Sequence, residues 1–264
     1  MTTTLTILGC GSSGGVPRVG QGWGACDPDN PRNRRRRCSV LIERSSDAGA
    51  TRILIDTSPD LRDQLLDAKV SSLDAAILTH DHADHTHGID DLRPLVMHLR
   101  RRIDVYADEA TKASLLGRFR YCFEASPGSD YPPILNLHDI DVETSLTIDG
   151  AGGAITLTPI RVKHGNTDAL GFRIGDLAYT PDLNDIYPDA LPLLNDLSIW
   201  IIDALRFTPH PTHFSVSDAL RWIDRMKPKR AVLTNLHSDL DYASLAAQLP
   251  IDIAPAFDGM KIEF

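Results

Sequence analysis

The chain has 264 residues, enough for one large or two small domains, and at 42% hydrophobic and 24% charged it can bury a substantial core. Its 27 basic against 36 acidic side chains give a formal charge of −9, which disfavours duplex nucleic acid gripped over a broad surface, because backbone neutralisation needs basic surface. A small anionic substrate in a local site stays open, whereas no run approaches the roughly 18 apolar residues of a membrane span and MTTTLTILGCG has no signal-peptide pattern.

In chain order, LTILG (5–9) reads as a first strand that runs into LGCGSSGGVPR (8–18). The glycines and serines there make a tight turn whose N–H groups, around Ser12, Ser13 and Gly14, can cradle phosphate oxygens. No Gly-Lys-Ser/Thr follows, so this is not a nucleotide-binding P-loop, and the Rossmann glycine spacing is absent. NPRNRRRRCS (30–39) then places Arg32 and Arg34 to Arg37 together. A consecutive run cannot aim every guanidinium at one point, so one or two at most would touch a ligand; Arg34 is the candidate. SVLIE (39–43), TRILID (51–56) and DAAILT (74–79) read as further strands, with a helix over SPDLRDQLLDAK (58–69) between the last two.

The third of these strands leads into THDHADHTHG (79–88), with four histidines and two aspartates in ten positions. A strand ending at Thr79 fixes where the loop begins. His80 and His82, two apart, can converge on one ion, and Asp84 and His85 can point to the other side. Imidazole with carboxylate suits zinc, manganese or iron. Asp81 and His87 are expected not to be ligands, and His98 and His138 to be surface or packing residues. Gly88 and the spacing of Ile89, Leu92, Leu95 and Val96 predict a helix starting within or just after the cluster.

Residues 90–150 contain helical stretches, DLRPLVMHLRRR and DEATKASLLGRF, and a loop, EASPGSDYPP. Strands follow over 154–164, 169–175, 176–180 and 197–204, then a helix over 215–226, a strand over 230–237 and a helix near 240–249. The pair 154–163 with 169–175, joined across HGNTD, suggests mixed rather than purely parallel sheets covered by helices. Three of these strands end, as THDH does, on a ligand-type residue: His164, Asp182 and His237. No linker splits the chain, so a single domain over 1–264 is expected. Cys10, Cys26, Cys38 and Cys122 follow no disulfide framework, which predicts reduced thiols and a cytoplasmic protein.

The run His80-Asp81-His82-Ala83-Asp84-His85, with the later strand exits, resembles the metallo-β-lactamase superfamily over nearly the whole chain. The resemblance implies an α+β four-layer αβ/βα sandwich, the metallo-β-lactamase fold, in which two mixed β-sheets are flanked by helices. It also implies two divalent ions, zinc or manganese. One would take His80, His82 and His164; the other Asp84, His85 and His237; Asp182 would bridge them. Asp56 in LIDTSPD would be the buried aspartate that supports the ligands.

Residues 203–220, DALRFTPHPTHFSVSDAL, resemble the segment of the superfamily's phosphodiesterases in which an acidic residue is followed by a histidine opening a helix. Asp203 and His213 hold those places, Asp203 orienting His213 toward a phosphoryl oxygen or leaving alkoxide, while His210 is expected to be structural. The Gly-Ser-Ser-Gly-Gly-Val-Pro opening, Cys38-Ser39 and Pro209 to His213 are similar to the phosphoribosyl cyclic phosphate phosphodiesterase group. That group's cysteine-rich insertion has no counterpart, so no structural zinc is expected.

The implied activity is hydrolysis of a small cyclic ribosyl or nucleotide phosphodiester by a bridging hydroxide between metals about 3.5–4 Å apart, with Asp84, Asp203 and His213 as catalytic residues. Nucleoside monophosphates are then reasonable ligands, and a homodimer is possible. The alternatives are a thioesterase or lactonase, or a nuclease related to tRNA 3′-processing enzymes. A His213 far from the metals would rule out the phosphodiester assignment. A narrow pocket closed by 117–140 would reject polymers, which an open basic groove would admit.

Overall fold

The computed structural model of the chain describes residues 2–125, 127, 128 and 130–264; two positions of the expected 124–133 loop, 126 and 129, therefore lie outside the described residues. The first six strands are β1 (Thr2–Gly9), β2 (Ser39–Ser46), β3 (Gly49–Ile55), β4 (Ala75–Ile77), β5 (Ile103–Ala107) and β6 (Leu135–Asp139). Then come β7 (Leu146–Ile148), β8 (Ile155–His164), β9 (Thr167–Ile174), β10 (Leu177–Thr180) and β11 (Asp185–Ile186). The last four are β12 (Ile199–Asp203), β13 (Arg230–Thr234), β14 (Ile253–Pro255) and β15 (Lys261–Glu263). The helices are α1 (Leu61–Asp67), α2 (Ala83–Thr86), α3 (Arg93–Leu99), α4 (Glu109–Phe123), α5 (Val216–Met226) and α6 (Tyr242–Gln248).

Two mixed sheets form, in the orders β15-β1-β2-β3-β4-β5-β6 and β11-β8-β9-β10-β12-β13-β14, with β7 pairing on β8. Each is antiparallel on one side and parallel on the other: β3 to β6 run parallel in the first, and β10, β12, β13 and β14 in the second. Alternation along β1, β2 and β3 turns Leu5, Ile7, Val40, Ile42, Ile53 and Ile55 toward the second sheet, where they meet Phe172, Tyr179 and Ile201. The opposite residues of the first sheet, Leu41, Leu54 and Leu78, pack with Leu61, Leu65, Leu95 and Leu115 of α1, α3 and α4. Trp200 and Leu233, on the outer face of the second sheet, pack with Val216, Ala219, Trp222 and Ile223 of α5. Three apolar layers thus separate helix, sheet, sheet and helix, as the metallo-β-lactamase architecture requires.

This topology places the strand exits together. β10, β12 and β13 are parallel, and β8 is antiparallel to β9, which is antiparallel to β10, so all four finish at one edge. The sheets are tied at that edge by backbone bonds, from Leu170 N–H to Thr79 O at 2.8 Å and from Leu236 N–H to Cys10 O at 2.8 Å. α5 starts on a full capping box, Ser215 accepting from Asp218 N and Asp218 from Ser215 N.

Several boundaries differ from the sequence pattern. The 58–69 helix is only α1, and the 91–102 helix stops at Arg100, whose φ of 53° is left-handed. β5, β6, β7, β14 and β15 have no counterpart in the sequence reading, being three to five residues long. The four cysteines are free and buried. No described helix is long and apolar enough to cross a membrane.

Candidate functional site

The site is built outward from Asp56. This residue follows β3 with a φ of 67°, a left-handed turn that places its carboxylate beneath the THDH loop. There it is fully buried and accepts from Thr79 N–H at 2.8 Å, from the Thr79 hydroxyl at 2.9 Å and from His85 Nδ1 at 2.7 Å. The Thr79 oxygen, its proton given to Asp56, accepts in turn from His80 Nδ1 at 3.0 Å. One carboxylate thereby fixes both imidazoles with Nε2 facing the same space. His164, the last residue of β8, is set the same way, its Nδ1 donating to Thr212 O at 2.8 Å.

Those nitrogens converge with Asp182, which follows β10. His85 Nε2 is 3.2 Å from Asp182 Oδ1, and His80 Nε2 and His164 Nε2 are 4.0 and 3.9 Å from Asp182 Oδ2. His82 Nδ1 lies 3.2 Å from His164 Nε2. Three overlapping donor groups result, His80–His82–His164, His80–His85–Asp182 and His164–Asp182–His213, each with ligand atoms within 4.8 Å of one another. His80 Nε2, His85 Nε2 and Asp182 Oδ1 are buried without a hydrogen-bond partner, although burying such atoms is costly. Orphaned imidazole nitrogens around a buried carboxylate fit a divalent metal ion.

The protonation states reflect the same crowding. Burial, reinforced by the neighbouring His85, pushes His80 well below the ordinary imidazole value, although Asp182 opposes this. Burial also opposes charge on His85, but Asp182, Asp56 and Asp84 together hold it well above that value. Burial raises Asp182, but His85, His213 and His80 together outweigh it and hold that carboxyl well below its usual range. Asp56 is raised by burial against the pull of His85.

Asp203 ends β12 and takes His213 Nδ1 at 2.8 Å, and the same nitrogen is 3.7 Å from Asp182. Burial works against a charged His213, but Asp203 and then Asp182 outweigh it and raise the imidazole to about 9. Burial lifts Asp203 to about 7 even against the attraction of His213. The distant pair is thus brought against the donor cluster.

A cavity of about 280 Å³ opens over the cluster, lined by Ser12, Ser13, Arg18, Asp84, Arg206, His213 and His237, with His82, His164, Asp182, Leu205, His210 and Thr212 completing its wall. Asp84 Oδ2 is 3.5 Å from His85 Nε2 but belongs to none of the three-donor groups. His237 is held off the cluster: its Nε2 contacts Arg18 Nη1, and its Nδ1 lies 3.2 Å from Asp239. His210 faces His213 with ring centroids 5.2 Å apart and accepts from Thr212 N–H at 3.3 Å. Asp81 and His87 instead anchor the loop to α4, Asp81 pairing with Arg118 and His87 packing edge-on against Phe119.

Arg34 does not reach this cavity. Its guanidinium lies 5.5 Å from the Trp23 ring centroid and it lines a separate cleft, shared with Arg35, Arg36 and Arg37. The other arginines are structural: buried Arg35 donates to Leu240 O and His237 O, Arg36 pairs with Asp258, Arg37 with Asp60, and Arg32 lies over Tyr242 and Phe257. Gly14 lines that cleft as well and serves as a platform, since a Cβ there would lie 2.4 Å from Arg18 Nε. The basic residues on the cavity wall, Arg18 and Arg206, carry no motif in sequence; Arg18 lies four residues beyond Gly14 in the expected phosphate loop and was the nearest signal. No described residue of 117–140 lines the cavity.

The family model for a Beta-lactamase superfamily domain matches residues 51–235. Among curated proteins, an octanoyltransferase of Porphyromonas gingivalis is 36% identical over 260 residues, 97% of this chain and 50% of that protein. A ribonuclease Z of Bradyrhizobium is 28% identical over 166 residues, 62% of this chain and 51% of that protein. The chain thus spans about half the length of these two relatives. Among solved structures, a diphosphatase from the PhnP family superposes with a TM-score of 0.89 at 35% identity, covering 100% of this chain and 98% of that one.

Proposed function

This chain belongs to the metallo-β-lactamase superfamily, in its PhnP-like branch, and from that premise we propose a metal-dependent phosphodiesterase acting on a small cyclic ribosyl or nucleotide phosphate. The observation that carries this reading is the Asp203–His213 pair, delivered by a separate strand to within 3.7 Å of Asp182 in the donor cluster. A protonated imidazole held beside the donor cluster suits a reaction whose leaving oxygen must be protonated.

In this reading His80, His82 and His164 would hold one divalent ion and Asp84, His85 and His237 a second, with Asp182 shared. When bound, such ions supply Lewis acidity that activates water and offsets charge on phosphoryl oxygens. The chain's own residues do the rest. Asp56 and Thr79 keep His80 and His85 in the tautomers that expose Nε2. His213, raised to about 9, carries its proton at neutral pH and uses Nδ1 on Asp203, leaving its other ring nitrogen to donate to a phosphoryl oxygen or to the departing alkoxide. Ser12 and Ser13 line the same cavity. A cyclic diester would open to a monoester, and the 280 Å³ cavity suits a substrate of that size.

A second reading, the same chemistry on a phosphoanhydride, is supported by the likeness to the PhnP-family diphosphatase. Both are tested by a hydrolysis panel in zinc and in manganese. The panel holds ribose 1,2-cyclic phosphate, nucleoside 2′,3′-cyclic phosphates, an aryl phosphodiester, a nucleoside diphosphate, a thioester and a lactam. Turnover of a cyclic phosphate above the rest is expected, and metal-loaded protein inert toward every phosphate ester overturns the proposal. His213→Ala should cost about 10²–10⁴-fold in turnover with metal content intact, whereas Asp182→Ala should lower both.

A further inference from the structure

We propose that Arg118 is a positioning residue for the metal donors: it holds the peptide that leads into His82 and so sets where that imidazole points. This rests on the reading of His80, His82 and His164 as donors to one ion. His80, His85 and His164 each have a ring nitrogen fixed from outside the donor cluster, by the Thr79 hydroxyl, Asp56 and Thr212 O. The His82 ring has no such partner among the described residues. It is exposed, and its Nδ1 meets His164 Nε2, another member of the cluster. The direction of this ring is therefore left to its backbone.

Because peptide units are planar, the His82 backbone has two soft dihedrals, one toward each flanking peptide. The peptide after His82 is held by α2: its carbonyl accepts from His85 N–H at 3.1 Å and from the Thr86 hydroxyl at 2.8 Å. The peptide before it is held by α4. Arg118 donates from Nη1 to Asp81 O at 2.5 Å and from Nη2 to the Asp81 carboxylate at 3.2 Å. No other described residue donates to that carbonyl.

α4 is a firm anchor for this contact. Its first turn is capped by Asp108, which accepts from Thr111 N–H at 2.8 Å, and Leu115, Cys122 and Phe123 are buried in the apolar layer against the first sheet. The helix is broken at Phe119 (φ −130°, ψ 30°), the residue after Arg118, and the Phe119 ring packs edge-on against His87. Consecutive residues of one helix thus grip the metal loop on both sides of α2, at Asp81 and at His87. The Arg118 and Asp81 side chains are 44% and 41% exposed, so as an ion pair they add little to stability. What the contact supplies is direction, which a metal site needs to within a fraction of an ångström.

The test is competition for Mn²⁺ between full-length protein and a chelating dye, with the thermal midpoint of the metal-stripped protein measured alongside. Arg118→Met should weaken binding by on the order of tenfold, as expected for a group that orients a metal ligand. Removing a positive charge near a cation would by itself tighten binding, so a loss of affinity reports position rather than charge. The metal-free midpoint should move by less than about 3 °C. Arg118→Lys, which keeps one donor for the carbonyl, should recover part of the affinity. Unchanged or tighter binding by Arg118→Met would overturn the inference. So would a loss that accompanies a large fall in the metal-free midpoint and is not recovered in Arg118→Lys, since that marks a packing role. A His82→Ala protein with wild-type affinity would instead overturn the ligand reading itself, independently of Arg118.

Discussion

Asp56 shows how much one residue can organise. A left-handed φ of 67° costs a non-glycine residue roughly 1–2 kcal/mol. Hydrogen bonds from Thr79 and His85 to its buried carboxylate offset that cost. Because it fixes the tautomer of His85 directly and of His80 through Thr79, Asp56→Asn should leave the fold intact and weaken metal affinity about 10–100-fold. Competition against a chelating dye would measure this; unchanged affinity would remove Asp56 from the supporting role. Its importance was readable only through family likeness, since nothing in LIDTSPD says which way the carboxylate turns.

At the scale of elements, the arginine run and α6 show a second use of polar residues. The Asp241 carboxylate caps α6 by accepting from Ser244 N–H at 2.9 Å, and it also accepts from Asn33 Nδ2 at 2.6 Å. Asn33 returns the contact by accepting from Tyr242 N–H at 2.7 Å, so the 27–35 loop and α6 are locked together next to His237. Burial raises the Asp241 carboxyl, but the Ser244, Asn33 and Asp27 donors together outweigh it and bring it down to about 2. A depressed carboxyl stabilises the fold above its unfolded value near 4 and loses that contribution as the pH falls through about 2. Asp241→Ala should therefore lower stability by about 1 kcal/mol at neutral pH, and the difference from wild type should fade between about pH 4 and 2. Denaturant titrations across that range would show it, and a pH-independent difference would contradict it. The sequence marked the run as a candidate ligand patch; pairing of Arg36 with Asp67 and Asp258 and of Arg37 with Asp60, with Asn33 held by Asp241, made it scaffold.

For the molecule as a whole, the donors come from both sheets: His80, His82 and His85 follow β4 of the first, and His164 and Asp182 leave β8 and β10 of the second. An ion bound there links the two layers and favours the folded state over the unfolded chain, in which the donors are dispersed. Stripping metal should lower the thermal midpoint, by an amount equivalent to about 2.7 kcal/mol when the ion had stood at a hundred times its dissociation constant. Calorimetry before and after chelation checks this, and Asp182→Ala should abolish the metal dependence. An unchanged midpoint in the wild type would mean that the ion does not bridge the sheets.

The sequence by itself marked the THDH loop and the strand exits at His164 and Asp182 as ligand-type positions, because periodicity and spacing are written in adjacent residues, whereas the sandwich was implied by the resemblance to the metallo-β-lactamase superfamily. Short strands such as β5 and β15 were invisible to it: three to five residues carry no period of their own and are stabilised by their neighbours in the sheet. Only the tertiary structure set His213 beside Asp182, put Arg18 rather than Arg34 on the cavity wall, and turned His237 toward Arg18. Each of those outcomes depends on where a side chain points after distant segments have packed, and that direction is fixed by the packing rather than by sequence spacing.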